Sequence, residues 1–283
     1  MSVDLIIQAE EVATADLKAL HALSGATGIA RIETVAHQAF RLLAANPETR
    51  AAVHAYCQPA KLDFAFVAAE RKFSDFGLIA MDMDSTLITI ECIDEIADFA
   101  GRKPQVAAIT ASAMRGEIDW PESLRRRVAL LAGLNESVLQ QVFDERLKLS
   151  PGATALITAA KTHGIKLLLV SGGFTFFTER LEARLEFDYA FSNTLEIIDG
   201  KLTGKVIGPL CDADTKAQHL CETAAALSLP RESRIAIGDG ANDLKMMSEA
   251  GFSIAYHAKP VVQARASATI NHCGLDAVVA LFA

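Results

Sequence analysis

Hydrophobic positions along the chain form two kinds of run, and the two kinds alternate. Short apolar runs that end at glycine or polar residues, such as Gly77–Met81, Ile165–Val170 and Arg234–Ile237, are typical of buried strands in a parallel sheet. Apolar residues that recur every three or four positions predict helices between them. From Pro151 onward the order of strand, loop and helix repeats, which predicts an α/β fold with a doubly wound parallel sheet. Within this part, Asp199–Gly200 between two arms of alternating apolar residues predicts a β-hairpin turn.

A different pattern interrupts this order between residues 91 and 150. Four helical patterns follow one another without a strand: Ile93–Gly101, Val106–Arg115, Asp119–Ala132 and Glu136–Leu147. They predict a helical cap that is inserted after the first strand of the sheet. Because the cap begins beside a strand end and finishes at Ser150–Gly152, we expect it to cover the edge where open α/β sheets bind ligands.

Residues 1–74 precede the sheet and have a pattern of their own. Strand-like and helix-like pieces alternate over this short length, which predicts a small N-terminal α/β domain, followed by a second domain over residues 75–283 that includes the cap. The N-terminal stretch shows no nucleophile, metal cluster or phosphate loop. Three roles stay open for it: binding a regulatory small molecule, forming a homodimer, or covering the second domain.

Composition and charge narrow the class of partner. The 283 residues are 51% hydrophobic and carry a net charge of −8. A nucleic-acid surface needs a basic face, and the basic run Arg125–Arg127 is too short to supply one, so we expect no nucleic-acid partner. Five cysteines, an odd number without metal-ligand spacing, are interpreted as free thiols in a reducing compartment. No apolar run approaches the roughly 18 residues of a membrane span, and we expect a cytoplasmic protein.

The predicted strand Gly77–Met81 ends abruptly in two carboxylates, Asp82 and Asp84. Two carboxylates this close at a buried strand end repel one another and lose hydration unless a cation, hydrogen-bond donors or water compensate. A bound divalent metal is the simplest compensation.

Three later groups follow strands or open a helix. Ser171, Gly172 and Gly173 end one predicted strand, Asp239 and Asp243 follow another, and Lys216 lies in the first turn of a predicted helix. Because parallel strands end at the same edge of a sheet, we expect these side chains to converge with the two carboxylates.

This set fits phosphoryl transfer to a protein carboxylate. An aspartate that attacks phosphorus forms an aspartyl-phosphate, which divides a difficult hydrolysis into two displacements. Mg²⁺ prefers oxygen ligands and would be held by Asp82 and Asp239, with Asp84 and the main chain beside it completing the site. Asp84 would protonate the leaving alkoxide and then activate water. The turn at residues 171–173 would bind phosphate oxygens, and Lys216 would stabilise the transition state.

These residues resemble the four motifs of a known family. The motifs are DMDST at Asp82–Thr86, SGGF at Ser171–Phe174, Lys216, and GDGAND at Gly238–Asp243. Over about residues 76–283 they resemble the haloacid dehalogenase superfamily, which implies a Rossmann-like core and Asp82 as the nucleophile. Three more stretches, DSTLITIECIDEIA, MRGEIDWPESLRRRV and AKP at Ala258–Pro260, resemble the members that hydrolyse O-phosphoserine with Mg²⁺ in the last step of serine synthesis.

The same resemblance implies substrate contacts in the cap. Glu91 matches the carboxylate that receives the substrate ammonium, and Arg127 matches the arginine that pairs with the substrate carboxylate. An arginine offers a planar fork that suits a carboxylate, so these two assignments also make physical sense. Met114 and Trp120 match apolar cap positions near the substrate.

Asn242 and Asp243 match the end of the last motif. The resemblance implies that Asn242 binds substrate and that Asp243 holds Lys216 or a metal-bound water. Two alternatives remain open: a phosphotransferase, which passes the phosphoryl group to an acceptor alcohol instead of water, and a phosphatase of the same superfamily that acts on another small phosphomonoester.

Overall fold

The structure, a computed structural model, describes residues 2–283 apart from the side chain of Met114, and it contains one mixed 11-stranded sheet. The strands are β1 (Val3–Ala9), β2 (Gly28–Ile32), β3 (Gln38–Leu43), β4 (Asp63–Ala68), β5 (Leu78–Met81), β6 (Lys166–Phe174), β7 (Tyr189–Ile198), β8 (Lys201–Ile207), β9 (Arg234–Gly238), β10 (Phe252–Tyr256) and β11 (Ala268–Ile270). Their order in the sheet is β2-β3-β1-β4-β11-β10-β9-β5-β6-β7-β8.

The helices lie between these strands as the sequence pattern predicts. They are α1 (Thr14–Ser24), α2 (Arg50–Ala60), α3 (Cys92–Phe99), α4 (Lys103–Met114), α5 (Trp120–Ala129), α6 (Ser137–Glu145), α7 (Ala153–Thr162), α8 (Thr175–Leu185), α9 (Ala213–Ala226), α10 (Leu244–Ser248), α11 (Pro260–Gln263) and α12 (Ala277–Ala280). None of the helices in the described part of the chain combines the length and the apolar character that a membrane span requires.

The centre of the sheet is parallel and buried on both faces. Strands β11, β10, β9, β5, β6 and β7 run parallel to one another. Within β5, Ile79 and Met81 belong to one hydrophobic cluster, whereas Leu78 and Ala80 belong to a second cluster that includes α9 and α10. Successive strand residues point to opposite faces, so each face packs against its own layer of helices. The predicted α/β fold with a doubly wound core is confirmed.

Strand pairing is antiparallel towards both ends of the sheet. At one end, β7 and β8 form an antiparallel hairpin whose turn residues Asp199 and Gly200 have φ values of 50° and 71°. Two consecutive positive φ angles match the twist of a two-residue hairpin turn, and the Asp-Gly pair predicted this hairpin. At the other end, β4 joins β11 antiparallel at the pair Phe64 and Thr269.

Strands β1 to β4 and helices α1 and α2 form a β-α-β-β-α-β unit with antiparallel pairing. This unit extends the central sheet instead of packing on its face. The buried carboxylate of Asp63 reinforces the junction, because its two oxygens accept the backbone N–H groups of Asn271, His272 and Cys273 at 2.7 to 2.9 Å. The division of the chain into two domains at residue 74 stays a prediction.

Helices α3 to α6 follow β5 directly and supply the region predicted as the cap. Its two connections to the sheet run side by side, since the N–H of Thr89 donates to Lys148 and that of Ser150 donates to Leu87, both at 2.9 Å. The β8 strand also contacts this region, because the N–H of Gly133 donates to the carbonyl of Leu202 at 2.8 Å. That second contact was not predicted from the sequence.

Candidate active site

Three neighbouring parallel strands, β9, β5 and β6, bring the predicted polar groups to one edge of the sheet. Asp82 follows β5, Asp239 follows β9, and Ser171 lies near the end of β6. The three strands run in the same direction and are adjacent, so their carboxyl ends meet. The convergence expected from the sequence is therefore present in the structure.

Lys216 lies buried beneath this group of side chains. Its Nζ atom lies 2.8 Å from Oδ1 of Asp82 and 2.7 Å from Oδ1 of Asp243. Both the Lys216 and the Asp243 side chains are fully buried. Asp243 is fixed further by Gly240, whose N–H donates to Oδ2 at 3.0 Å. A Cβ atom on Gly238 would lie 2.5 Å from Asp243, so only glycine lets β9 approach this closely.

The carboxylates outnumber the lysine that they share. One oxygen from each of Asp82, Asp239 and Asp243 lies within 4.8 Å of the others. Burial raises the pKa of Asp82 well above its ordinary value, and repulsion from Asp243 adds to the effect. Burial, with repulsion from Asp243, raises the pKa of Asp239 to about 7. Burial opposes the charge on Lys216, but Asp243 and Asp82 outweigh it and hold its pKa above the ordinary value.

This excess of negative charge fits a metal ion. Hard oxygen donors that repel one another at short range are the donors that a divalent cation takes up, and one lysine does not neutralise three carboxylates. The cluster of Asp82, Asp239 and Asp243 is therefore able to hold a metal ion. Asp84, which the sequence analysis counted among the ligands, does not belong to these three, so its place as a ligand stays a prediction.

Asp84 lines the same cavity as Asp82 and lies beside the turn at Gly173. Its Oδ1 atom accepts the backbone N–H of Cys92 at 3.3 Å. Burial raises the pKa of Asp84 to about 7, and the negative charge of Glu91 is the second cause. A carboxyl with a pKa near neutrality can both give and take a proton, which suits a general acid and base.

The turn at the end of β6 presents backbone groups to the same edge. The N–H of Gly173 donates to Oγ of the buried Ser171 at 2.8 Å. A Cβ atom on Gly172 would lie 2.9 Å from Cζ2 of Trp120, the first residue of α5. The cap tryptophan thus lies directly against the turn, where it covers the strand ends.

A cavity of about 670 Å³ lies above these groups and below the cap. Ten of the sequence-predicted residues line it: Asp82, Asp84, Glu91, Trp120, Arg127, Ser171, Gly172, Gly173, Asp239 and Asn242. Lys216 and Asp243 are not in its lining, since both are fully buried against Asp82 beneath it.

The cap contributes charged side chains to the cavity wall. Oε1 of the exposed Glu91 accepts the hydroxyl of Ser85 at 2.8 Å. The half-buried Arg127 has its Nε atom 3.4 Å from the carbonyl of Ser123. Burial lowers the pKa of Arg127, while the nearby carboxylates of Glu91 and Asp94 oppose that shift. Both side chains face the cavity in which the carboxylates of the sheet edge also lie.

Two of the residues to which the sequence analysis assigned no role make hydrogen bonds with the strand ends of the site. Lys259 lines the cavity, and its N–H donates to the carbonyl of Asp239 at 3.1 Å. Asn193 is fully buried on β7 and bonds to the turn at Gly172. The available signal for Asn193 was a polar residue inside an otherwise strand-like stretch, YAFSNTLEII, but sequence alone does not reveal its partner.

Comparisons with known proteins match this chain to one family over most of its length. A family model described as haloacid dehalogenase-like hydrolase matches residues 79–248, and a domain of unknown function (DUF4072) matches residues 5–53. A phosphoserine phosphatase of Polaromonas sp. is 56% identical over 215 residues, which are 74% of this chain and 91% of that relative.

Solved structures agree with the sequence matches. A haloacid dehalogenase family hydrolase from Salmonella enterica serovar Typhi superposes with a TM-score of 0.89 and 36% identity, covering 100% of this chain and 99% of that chain. A structure described as a phospho-aspartyl intermediate analogue of phosphoserine phosphatase has a TM-score of 0.69 and 37% identity, covering 74% and 99%.

The fold and the acidic strand ends thus define the class: the chain belongs to the haloacid dehalogenase-like hydrolases. Within that family, relatives that are 44% to 56% identical to it are phosphoserine phosphatases, which are phosphoric monoester hydrolases.

Proposed function

We propose that this protein is a phosphoserine phosphatase, which hydrolyses O-phosphoserine to serine and inorganic phosphate. The composition of one cavity carries the proposal. Its floor holds Asp82 beside the buried Lys216, and its wall holds Glu91 and Arg127. Groups for phosphoryl transfer and a charge pair that complements an amino-acid zwitterion therefore face the same space. The names of the related enzymes support the same substrate.

Asp82 is the proposed nucleophile. Its carboxylate attacks phosphorus, the bond from phosphorus to the seryl oxygen breaks, and Asp84 gives its proton to that departing oxygen. Asp84 then takes a proton from the water that attacks the aspartyl-phosphate, which releases phosphate and restores Asp82. Lys216, 2.8 Å from Asp82, holds the nucleophile and offsets charge in the transition state. The solved phospho-aspartyl analogue of a related enzyme supports this covalent route.

The turn at residues 171–173 and Asn242 are the proposed phosphate contacts. Ser171 supplies a hydroxyl, Gly172 supplies a backbone N–H, and Asn242, which lines the same cavity, supplies a side-chain amide. Asp243 is the proposed support for Lys216, as its 2.7 Å contact indicates.

Mg²⁺ is the proposed cofactor, with Asp82, Asp84 and Asp239 as its protein ligands. The repulsion among the buried carboxylates fits a hard cation, and Mg²⁺ favours carboxylate and water oxygens. When bound, it would neutralise charge between the nucleophile and the phosphate. The chain's own part is to hold these oxygens at the strand ends.

Glu91 and Arg127 are the proposed determinants of the substrate's amino-acid part. Glu91 would receive the ammonium group, and Arg127 would pair with the carboxylate. Both belong to the cap region, so the groups that select the substrate come from a different part of the chain than the groups that react.

Phosphate release from a panel of substrates tests the proposal. The panel contains phosphoserine, phosphothreonine, phosphoethanolamine and a sugar phosphate, each with Mg²⁺ and with a chelator. We expect metal-dependent release with a strong preference for phosphoserine. Preference for the sugar phosphate would contradict the proposed substrate, and transfer of phosphate to an added alcohol in place of release would identify a phosphotransferase.

We also propose a cytoplasmic location and a homodimer. The five cysteines are free thiols in the structure, which is compatible with a reducing compartment. The N-terminal domain, residues 1–74, is the proposed regulatory or dimerising part. Cell fractionation and sedimentation equilibrium of the full chain test the two proposals, and a monomer at micromolar concentration would contradict the second.

A further inference from the structure

Asn193 connects two loops of the site through one buried side chain. It lies on β7 and is 0% exposed. Its Nδ2 atom donates to the carbonyl of Gly172 at 2.8 Å, and its Oδ1 atom accepts the N–H of Cys211 at 2.8 Å. Because one partner is a carbonyl and the other an N–H, the orientation of the amide is determined by its partners.

The two partners belong to different functional segments. Gly172 is the middle residue of the turn that we propose to bind phosphate. Cys211 directly precedes Asp212, whose carboxylate caps α9 by accepting the N–H groups of Asp214 and Thr215, both at 3.0 Å. Lys216 follows in the first turn of that helix. One amide therefore joins the phosphate-binding turn to the start of the helix that carries the lysine.

Asparagine meets a requirement here that other residues of its size do not. A buried carbonyl and a buried N–H on opposite sides need one donor and one acceptor, and an unsatisfied buried group costs about 1–3 kcal/mol. Aspartate has no donor for the Gly172 carbonyl when it is ionised, and leucine satisfies neither group.

We propose that Asn193 is a positioning residue that sets the distance between the phosphate-binding turn and Lys216. It touches neither the reacting atoms nor the cavity, and it acts through Gly172 and Cys211. The proposal rests on the proposed function, since it takes the turn to be a phosphate site. Loss of the amide should free both loops, so that the turn and the lysine no longer converge on one phosphate.

Binding of inorganic phosphate tests this inference separately from stability. Asn193→Leu and Asn193→Ala are compared with the parent by calorimetric titration of phosphate in the presence of Mg²⁺, together with thermal unfolding and kcat and KM for O-phosphoserine. The matched control is Thr178→Val. The buried Thr178 hydroxyl bonds to Oγ of Ser192, the residue beside Asn193, at 2.7 Å, and not to the backbone of Gly172 or Cys211.

We expect all three variants to melt at a lower temperature than the parent. Both Asn193 variants should bind phosphate at least tenfold more weakly and lose at least tenfold in kcat, whereas Thr178→Val should change each by less than twofold. Equal phosphate affinity for parent and Asn193→Ala would overturn the role of Asn193, as would a tenfold loss in the control.

The same titration distinguishes a failure of the proposed function from a failure of the role proposed for Asn193. A parent that binds phosphate but does not hydrolyse O-phosphoserine would overturn the proposed substrate and leave the Asn193 comparison intact. A parent that binds no phosphate would overturn both the site and this inference.

Discussion

The floor of the cavity and its wall are built in opposite ways. On the floor, Lys216 and Asp243 are fully buried and Lys216 contacts two carboxylates at 2.7 and 2.8 Å. On the wall, Glu91 is exposed and Arg127 is half-buried, and both come from the helical segment that follows β5. The floor is fixed by ion pairs from Lys216, on α9, to two carboxylates that follow β5 and β9. The wall is carried by the helical segment instead.

We therefore expect the floor to determine the rate of the reaction and the wall to determine which substrate is selected. Groups that stabilise developing charge act best when they are already oriented in a dry site, because no reorganisation is then needed during the reaction. Groups that recognise a substrate must admit it first, which suits a cap that is joined to the sheet by two short connections. Changes to the floor should therefore affect every phosphomonoester alike, and changes to the wall should affect phosphoserine most.

The largest effect is expected for Asp82→Asn on the floor. The amide is not a nucleophile, so kcat should fall by roughly 10⁴-fold for every substrate. Phosphate release measures the rate, and circular dichroism verifies the fold. A residual rate within tenfold of the parent would show that another residue attacks phosphorus.

Lys216→Met should have the next largest effect, on both stability and rate. Removing one partner of a buried ion pair leaves uncompensated carboxylates and costs about 3–5 kcal/mol in the free energy of unfolding. Urea denaturation measures that loss. The control is Lys245→Met, since Lys245 pairs with Asp214 at 2.6 Å on the surface and such pairs contribute about 0–1 kcal/mol. Equal losses of unfolding free energy in the two variants would contradict the claim that buried ion pairs fix the floor.

Arg127→Ala should act on selection alone. We expect kcat/KM for phosphoserine to fall about 10²-fold, because a charge-assisted pair with the substrate carboxylate is lost, while a phosphomonoester without a carboxylate changes little. Arg126→Ala is the matched control: the neighbouring arginine is exposed and pairs with Glu122 at 2.7 Å. An equal fall for both kinds of substrate would contradict the assignment of Arg127.

Gly172→Ala should give the smallest effect and tests the contact between floor and wall. The new methyl group would lie 2.9 Å from Cζ2 of Trp120, so the indole must move by a few tenths of an ångström or more. We expect KM for phosphoserine to rise about tenfold by lost cap contact, with kcat less affected. Combining Gly172→Ala with Trp120→Phe, which replaces the indole by a smaller phenyl ring, should reverse part of the rise in KM. No recovery would place the defect in the turn itself.

Local sequence patterns predicted which residues form the cavity floor better than they predicted the contacts around it. Asp82, Ser171 and Asp239 each follow a short apolar run, and adjacent parallel strands must end at the same edge, so local patterns were sufficient. The carboxylate cluster of the structure contains Asp82, Asp239 and Asp243, whereas the place of Asp84 as a metal ligand stays a prediction. The side chain of Asp84 accepts the N–H of Cys92, and this contact depends on how the chain enters the cap.

Features that depend on distant pairings were not predictable from local patterns. The N-terminal unit joins the central sheet at Phe64 and Thr269, and Asn193 bonds to Gly172 and to Cys211. No periodicity in either segment encodes its partner, because the partner is set by the order of strands in the folded sheet. The hairpin turn at residues 199 and 200 was predicted, since its chemistry is local.

The most direct test of the central claim is to trap the covalent intermediate. The protein is mixed with O-phosphoserine and Mg²⁺, quenched, and reduced with borohydride, which converts an aspartyl-phosphate to homoserine, and the modified residue is located by mass spectrometry. We predict homoserine at position 82, with none in Asp82→Asn. Rapid phosphate release with no modification at position 82, or with modification at another aspartate, would contradict the claim that Asp82 carries the phosphoryl group.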